Sequence, residues 1–247
     1  MASRQPGAPI RRITVDSGAA EQNRWPYTLP VVKQVAAEGL ALDPGVNVLV
    51  GANGSGKSTL VEAVAAAWAR RITAFRQDWL QRAVGTPSAE DSDLHGSIRL
   101  EYTKGGATGG LFLRAERIHA QAAGIGSSGR WEERIGQSIL SQSHGEGFLE
   151  ILRGMTAEPG CYILDEPESA LSLDSCLALL AIMSEMRAAG SQIILATHSP
   201  ILASLPGARI LELSESGLHS VSFDDTSLVR SWRAFLEAPE RYHKHLI

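Results

Sequence analysis

Val46-Asn-Val-Leu-Val-Gly51-Ala-Asn-Gly-Ser-Gly56-Lys57-Ser58-Thr59 is an apolar, β-branched run that stops at a glycine and opens into Gly-x-x-x-x-Gly-Lys-Ser. The alanine-rich stretch Leu60 to Ala69 that follows reads as helix. Strand, glycine loop and helix in that order are the context of a phosphate-binding P-loop. The glycines let successive N–H groups turn into one concavity. The helix start adds unpaired N–H groups and a positive dipole end, both favouring an anion. The expectation is a nucleotide cradle built from Gly51, Asn53, Gly54, Ser55, Gly56, Lys57, Ser58 and Thr59. In it Lys57 reaches the β- and γ-phosphates and Ser58 holds Mg²⁺.

Composition bounds the rest. A chain of 247 residues suits one large α/β domain or two small ones and can bury a core without staples. A net charge of −4 signals no bulk attraction to nucleic acid, although a local basic face is compatible with it. Cys161 and Cys176 sit in apolar surroundings without metal-ligand spacing and read as reduced core thiols. No apolar leader is visible, and the apolar runs fall far short of the ~20 residues that span a bilayer. These features predict a soluble, cytoplasmic chain that meets a membrane only through a partner.

Along the chain, Ile10 to Val15, Val31 to Val35 and Gly39 to Leu42 read as strands, with Asp43-Pro-Gly45 as a turn. A small antiparallel sheet leading into the P-loop strand follows from them. Arg70 to Val84 carries a helical pattern. Ser97 to Tyr102 and Leu111 to Leu113 read as a strand pair around the glycines 105–110. Helices are expected over Glu132 to Leu140 and Phe148 to Met155. Cys161 to Leu164 and Gln192 to Ala196 are continuous apolar runs, suited to parallel strands buried on both faces. Between them, Leu173 to Ala189 reads as a helix with Leu173, Leu177, Leu180 and Met183 as its apolar stripe, ended by Gly190. Arg209 to Leu213 and Leu218 to Phe223 form a hairpin, and the tail from Thr226 is helical. The whole reads as one compact α/β domain over 1–247, with a small insert at about 70–142.

Two further features carry chemistry. Asp165-Glu166 follows four apolar residues, which places both at the C-terminal mouth of a strand, where parallel sheets bind ligands. Asp165 suits a Mg²⁺-holding role, usually through a water, because the hard cation takes oxygen ligands and keeps several waters. Glu166 is then placed to polarise an attacking water. His198 lies 33 positions after Asp165 and ends the next buried strand, where an imidazole can hydrogen-bond the γ-phosphate or that water. Glu166, His198 and Lys57 are the candidate catalytic residues.

With these motifs in hand, the chain resembles the ABC-type ATPases over most of its length. Gly51 to Ser58 is similar to the Walker A loop and Leu164-Asp-Glu-Pro167 to the extended Walker B. Ala170-Leu-Ser172 is similar to the D-loop, and Ala196-Thr-His-Ser199 to the switch-histidine segment. Ser143-His-Gly145-Glu, 22 positions before Asp165, is similar to the signature motif, with His144 and Glu146 where Gly and Gln are more common. Phe112-Leu-Arg-Ala-Glu116 and Pro239-Glu-Arg-Tyr242 resemble segments of small stand-alone bacterial "AAA family ATPase" proteins, which share the head-domain logic of chromosome-maintenance and recombination ATPases. Only 85 residues separate Lys57 from Ser143, without the heptads of a long coiled coil.

The resemblance implies a P-loop NTPase with an ABC-ATPase-like, mostly parallel sheet, an antiparallel β subdomain and a small helical insert. It implies ATP and Mg²⁺ as cofactors. It also implies a homodimer that sandwiches two ATP molecules, with Ser143 and Gly145 touching the partner's nucleotide. Glu116 is the positional match to the Q-loop glutamine and a candidate metal ligand, with Gln77, Gln81 and Gln137 as weaker matches. Trp25 or Tyr27 is the candidate for stacking on adenine.

Three functions compete: an ATP-driven dimerising switch coupled to an effector protein or nucleic acid, the nucleotide-binding subunit of an ABC transporter, and a nucleotide-binding regulator that hydrolyses poorly. Glu166 argues against the last. The altered signature and the Leu-Arg-Ala-Glu segment favour the first.

Overall fold

The computed structural model describes residues 9–16, 18, 23–73, 92–106, 109–114, 149–150, 152–154 and 159–243. Its centre is a six-stranded sheet. The P-loop strand β3 (Val46–Gly51) lies inside it, followed by α2 (Lys57–Thr73). The other members are β5 (Gly109–Arg114), β6 (Gly160–Asp165), β7 (Gln192–Ala196), β8 (Arg209–Ser214) and β9 (Gly217–Val221), in the order β5-β6-β7-β3-β8-β9. Every pairing is parallel except the β8–β9 hairpin. A second, antiparallel sheet has the order β2-β1-β4, from β1 (Ile10–Val15), β2 (Leu40–Ala41) and β4 (Ile98–Tyr102).

The continuous apolar strands bury both faces, as their sequences predict. On β3, Val46, Val48 and Val50 enter one core and Leu49 the other. On β6, Cys161 and Ile163 face the core shared with α2 and the antiparallel sheet, while Tyr162 and Leu164 face the opposite core. The period of two divides each strand between two hydrophobic layers. Each large side chain so buried contributes roughly 1.5–3 kcal/mol relative to exposure. The α2 helix is apolar almost all round because the sheet and β4 both cover it, with Leu60, Val61, Val64 and Trp68 all buried.

Buried polar side chains join the layers. Gln192, at the start of β7, accepts the N–H of Ile10 at 3.0 Å and donates to the carbonyls of Ile10 at 2.8 Å and Asp43 at 2.9 Å. One amide thereby ties the antiparallel sheet to the central one with all of its bonds satisfied. Asn47 closes the turn before β3, accepting from Asp43 N–H and donating to its carbonyl, both at 2.9 Å.

Three sequence expectations are corrected. Val31 to Val35 is no strand: it lies in helix α1 (Pro30–Glu38), which begins at a proline and ends at Gly39 (φ 68°). Those two punctuation residues, with Val31, Val32 and Val35 buried on one side, outweigh the β preference of valine. The second correction concerns β4 and β5, which do not pair with each other. β4 joins β1, and β5 runs parallel to β6 with Gly110 opposite Cys161. Gly110 (φ 146°) is required there, since a Cβ would meet the Cys161 carbonyl oxygen at 1.9 Å. Both strands lie within the span read as an insert, and each belongs to a sheet.

The third correction concerns α4 (Leu173–Ala188), which buries only part of the expected stripe: Met183 is buried and Leu180 half-buried, but the first two positions are not. Leu173 is 61% and Leu177 50% exposed, while Cys176, Leu179, Ile182, Met183 and Met186 enter the core. The remaining described elements are short: α3 (Leu94–Ser97), a 3₁₀ turn (Pro167–Ala170), α5 (Pro200–Ala203), a second 3₁₀ turn (Phe223–Asp225), α6 (Ser227–Glu237) and α7 (Pro239–His243). The expected helix over Glu132 to Leu140 lies outside the described residues. Of the one over Phe148 to Met155, Leu149 and Leu152 are described and buried. No helix among the described residues is long and apolar enough to cross a membrane.

Candidate nucleotide site

The strand order sets the site. β7 lies between β6 and β3, so the C-terminal ends of three neighbouring parallel strands deliver Asp165, His198 and the P-loop to one mouth. A cavity of about 460 Å³ opens there, with Asn53, Gly54, Gly56, Lys57, Ser58 and Thr59 on one side and Asp165, Glu166 and His198 on another. Gly51 ends β3 at the root of the loop, and the Ser55 hydroxyl is buried without a hydrogen-bond partner. Gly56 (φ 95°) packs on α1, where a Cβ would stand 3.0 Å from Val31 Cγ1. That contact gives α1 its place beneath the loop.

Lys57 is 3% exposed, and its Nζ donates to the carbonyls of Gly51 at 2.9 Å and Ala52 at 3.1 Å. Burial lowers its pKa, opposed by the charges of Glu166, Asp165 and Glu168. The ammonium is thus held inside the loop, facing the concavity that an anion would fill.

Asp165 is 1% exposed and accepts a hydrogen bond from Ser58 Oγ at 3.1 Å on Oδ1. Burial pushes its pKa up to about 6; Arg114 and the Ser58 bond pull it down, while Glu62 and Glu166 push it up. Glu166 has φ 46°, alone among the described non-glycine residues in being left-handed. Such a backbone costs about 1–2 kcal/mol in an L-residue and occurs preferentially at functional sites. Here Pro167 starts the next turn, and Glu166 N–H donates to the Ala196 carbonyl at 2.9 Å. These contacts hold the carboxylate toward the mouth, with Oε1 3.3 Å from His198 Nε2.

Two charged residues at the site were given no role by sequence reasoning. Arg114 ends β5 directly opposite Asp165 in register and lines the cavity. Its guanidinium pairs with Glu62 and stands 3.7 Å from Asp165 Oδ2. Glu62 lies one helical turn after Ser58 on α2. The available signal was a charged residue closing a buried apolar strand, the same signal that singles out Asp165. Of the two aromatic candidates, Trp25 is at the cavity and 55% exposed. Tyr27 is buried, with its hydroxyl 2.8 Å from Ser97 Oγ. Glu116, Gln77, Gln81, Gln137, Ser143 and Gly145 lie outside the described residues.

The cavity has room for a polyphosphate against the glycine loop and Lys57, with Ser58 Oγ and Asp165 as the oxygens that could hold a cation and a carboxylate and an imidazole facing them. Comparison with known proteins identifies the family. A family model described as an AAA domain matches residues 33–132. The cytochrome c biogenesis ATP-binding export protein CcmA of Rhodospirillum rubrum is 31% identical over 180 residues, covering 68% of this chain and 74% of that protein. The CcmA protein of Paramagnetospirillum magneticum is 29% identical over 189 residues, covering 69% of this chain and 82% of that protein. Among solved structures, an SMC head bound to the C-winged helix domain of ScpA aligns with a TM-score of 0.46 and 13% identity, over 74% of this chain and 92% of that one. With its P-loop, its parallel sheet and relatives of this identity and coverage, the chain belongs to the ABC-type ATPases, enzymes that bind and hydrolyse ATP.

Proposed function

We propose that the chain binds Mg·ATP at this cleft and hydrolyses it with Glu166 as general base. ATP closes two copies head to tail, and the cycle drives an effector protein or nucleic acid outside membrane transport. The observation that carries this reading is the convergence of Lys57, Ser58, Asp165, Glu166 and His198 on one cavity.

The donor set fits Mg²⁺. Ser58 Oγ and Asp165 Oδ1 are hard oxygens 3.1 Å apart at the loop mouth, suited to a cation that keeps waters and takes its other ligands from phosphate. Ser58 and Asp165 would hold Mg²⁺, which when bound would supply positive charge to offset the charge that develops on the phosphates. The rest falls to the chain. Lys57 turns from its two carbonyls to the β- and γ-phosphates. Glu166 takes the proton of the attacking water at its carboxylate, and His198 Nε2 orients that water or the γ-phosphate. Trp25 at the cavity rim offers a face to the base. Ser143 and Gly145 complete the partner's site, which gives a two-fold pair. Differential affinity of ATP for the closed pair drives the switch.

The export proteins among the relatives favour a second reading, the nucleotide-binding subunit of a transporter. A membrane protein that co-purifies stoichiometrically with the tagged chain supports that reading; its absence, with a soluble partner captured instead, supports the first.

Asp165 offers a test with a worked sign. Its charged form holds the cation, so kcat/KM should fall as pH drops through about 6. Arg114 lowers the Asp165 pKa, so Arg114→Ala should move this acid limb upward by about one pH unit. Asp165→Asn should raise the Mg²⁺ needed for half-maximal turnover by about 10–100-fold and slow hydrolysis with it. A limb that stays put in Arg114→Ala, or an unchanged Mg²⁺ requirement in Asp165→Asn, contradicts the role given to Asp165.

A further inference from the structure

The turn that carries Glu166 holds a second carboxylate. Glu168 lies in the 3₁₀ turn, and its Oε1 accepts the backbone N–H of His198. Its Oε2 is buried and has no hydrogen-bond partner. The neighbouring N–H groups are satisfied differently. Thr197 donates to the Leu49 carbonyl at 3.1 Å, and Ser199 donates to Thr197 Oγ1 at 2.9 Å. Of these three, only the N–H of His198 depends on a side chain from another element. The imidazole is similarly poised: Nε2 is buried, has no hydrogen-bond partner and faces Glu166 Oε1 at 3.3 Å.

Two stitches therefore join the Glu166 turn to the end of β7. One runs from Glu166 N–H to the Ala196 carbonyl and is indifferent to residue type. The other exists only because residue 168 carries an acceptor that reaches His198. A charge-assisted bond of this kind is about twice as strong as a neutral one. Leaving the second oxygen of a carboxylate buried and unpaired is costly, so the position demands an explanation beyond packing.

We propose that Glu168 is a positioning residue: by holding the His198 backbone it fixes the imidazole against Glu166. The inference rests on the roles given above to Glu166 and His198. It also makes the position of His198 depend on the segment that follows. The Leu171 N–H donates to the Glu168 carbonyl at 3.0 Å, and Ser172 caps α4 by accepting from Ser175 N–H. A shift of Ala170–Ser172 is thereby passed to His198 through a single side chain.

The test is a double-mutant cycle in the full chain, with turnover and calorimetric ATP affinity measured for each variant. Glu168→Ala should lower kcat about tenfold or more, as expected for a displaced catalytic group, with ATP affinity within about twofold. Glu168→Gln keeps an acceptor oxygen and should retain kcat within about threefold of the unmodified protein. On a His198→Ala background, Glu168→Ala should cost less than about twofold further. Equal losses in the Gln and Ala variants, or the same loss on both backgrounds, would overturn the tether. His198→Ala with unimpaired turnover would instead sink the role of His198, and the tether with it. Should Glu168→Ala not fold, Glu168→Met keeps the volume without the acceptor and is read the same way.

Discussion

Glu166→Gln should bind Mg·ATP as the unmodified protein does and turn it over about 10²–10⁴-fold more slowly. The substitution keeps the volume and one acceptor oxygen but removes the basic carboxylate. The surrounding geometry should survive it. The left-handed backbone at residue 166 is held by its N–H bond to the Ala196 carbonyl and by the bonds of Ser169 to its own carbonyl, and none of them involves the carboxylate. Single-turnover kinetics with calorimetry separate the two quantities. Turnover near that of the unmodified protein would move the base elsewhere, and His198, 3.3 Å away, is the next group to examine.

Lys57→Ala should weaken ATP binding by about 10²-fold or more. Hydrogen bonds to charged groups are worth about 1.5–3 kcal/mol each, and this ammonium is expected to make two to phosphate. It is also the only cation in the loop itself. In the free protein its bonds go to the carbonyls of Gly51, which is half-buried, and Ala52, which is exposed, so water can replace the ammonium when the side chain is removed. A circular-dichroism spectrum matching that of the unmodified protein checks that the chain still folds. Equal ATP affinity in the two proteins, measured by calorimetry, would remove the phosphate cradle from Gly51–Thr59.

What the sequence made legible follows from how strongly each signal is constrained. β3, β6 and β7 announce themselves as short apolar runs, because a parallel strand covered on both faces has no polar position to interrupt it. Their ends are legible too, since Gly51, Asp165 and His198 are where the chemistry starts. α1 was misread because three valines in five residues look like a strand, and only Pro30 and Gly39 reveal the helix. The separation of β4 from β5 depends on partners distant in sequence, Val15 and Ile98 in one sheet and Leu113 and Leu164 in the other. No local pattern encodes that pairing.

The buried face of α4 was missed in part, for a different reason. Its apolar residues are spread almost all round, so periodicity does not single out Cys176 and Leu179 over Leu173 and Leu177. Arg114 carries the signal of a charge closing an apolar strand, but Glu62 and Glu168 are invisible in the sequence because their contacts are set by three-dimensional neighbours. An ion pair between β5 and α2, and a carboxylate on a backbone N–H, leave no fixed spacing behind.

In the proposed cycle ATP is the glue of a two-fold pair and hydrolysis its release. Light scattering on Glu166→Gln, with and without Mg·ATP, tests it most directly. ATP should raise the mass from the 26.4 kDa of one chain to twice that value, and adding Ser143→Arg should abolish the rise while calorimetry still finds ATP bound to the single chain. A mass that ignores ATP, or an ATP-dependent pair indifferent to Ser143→Arg, would contradict the account.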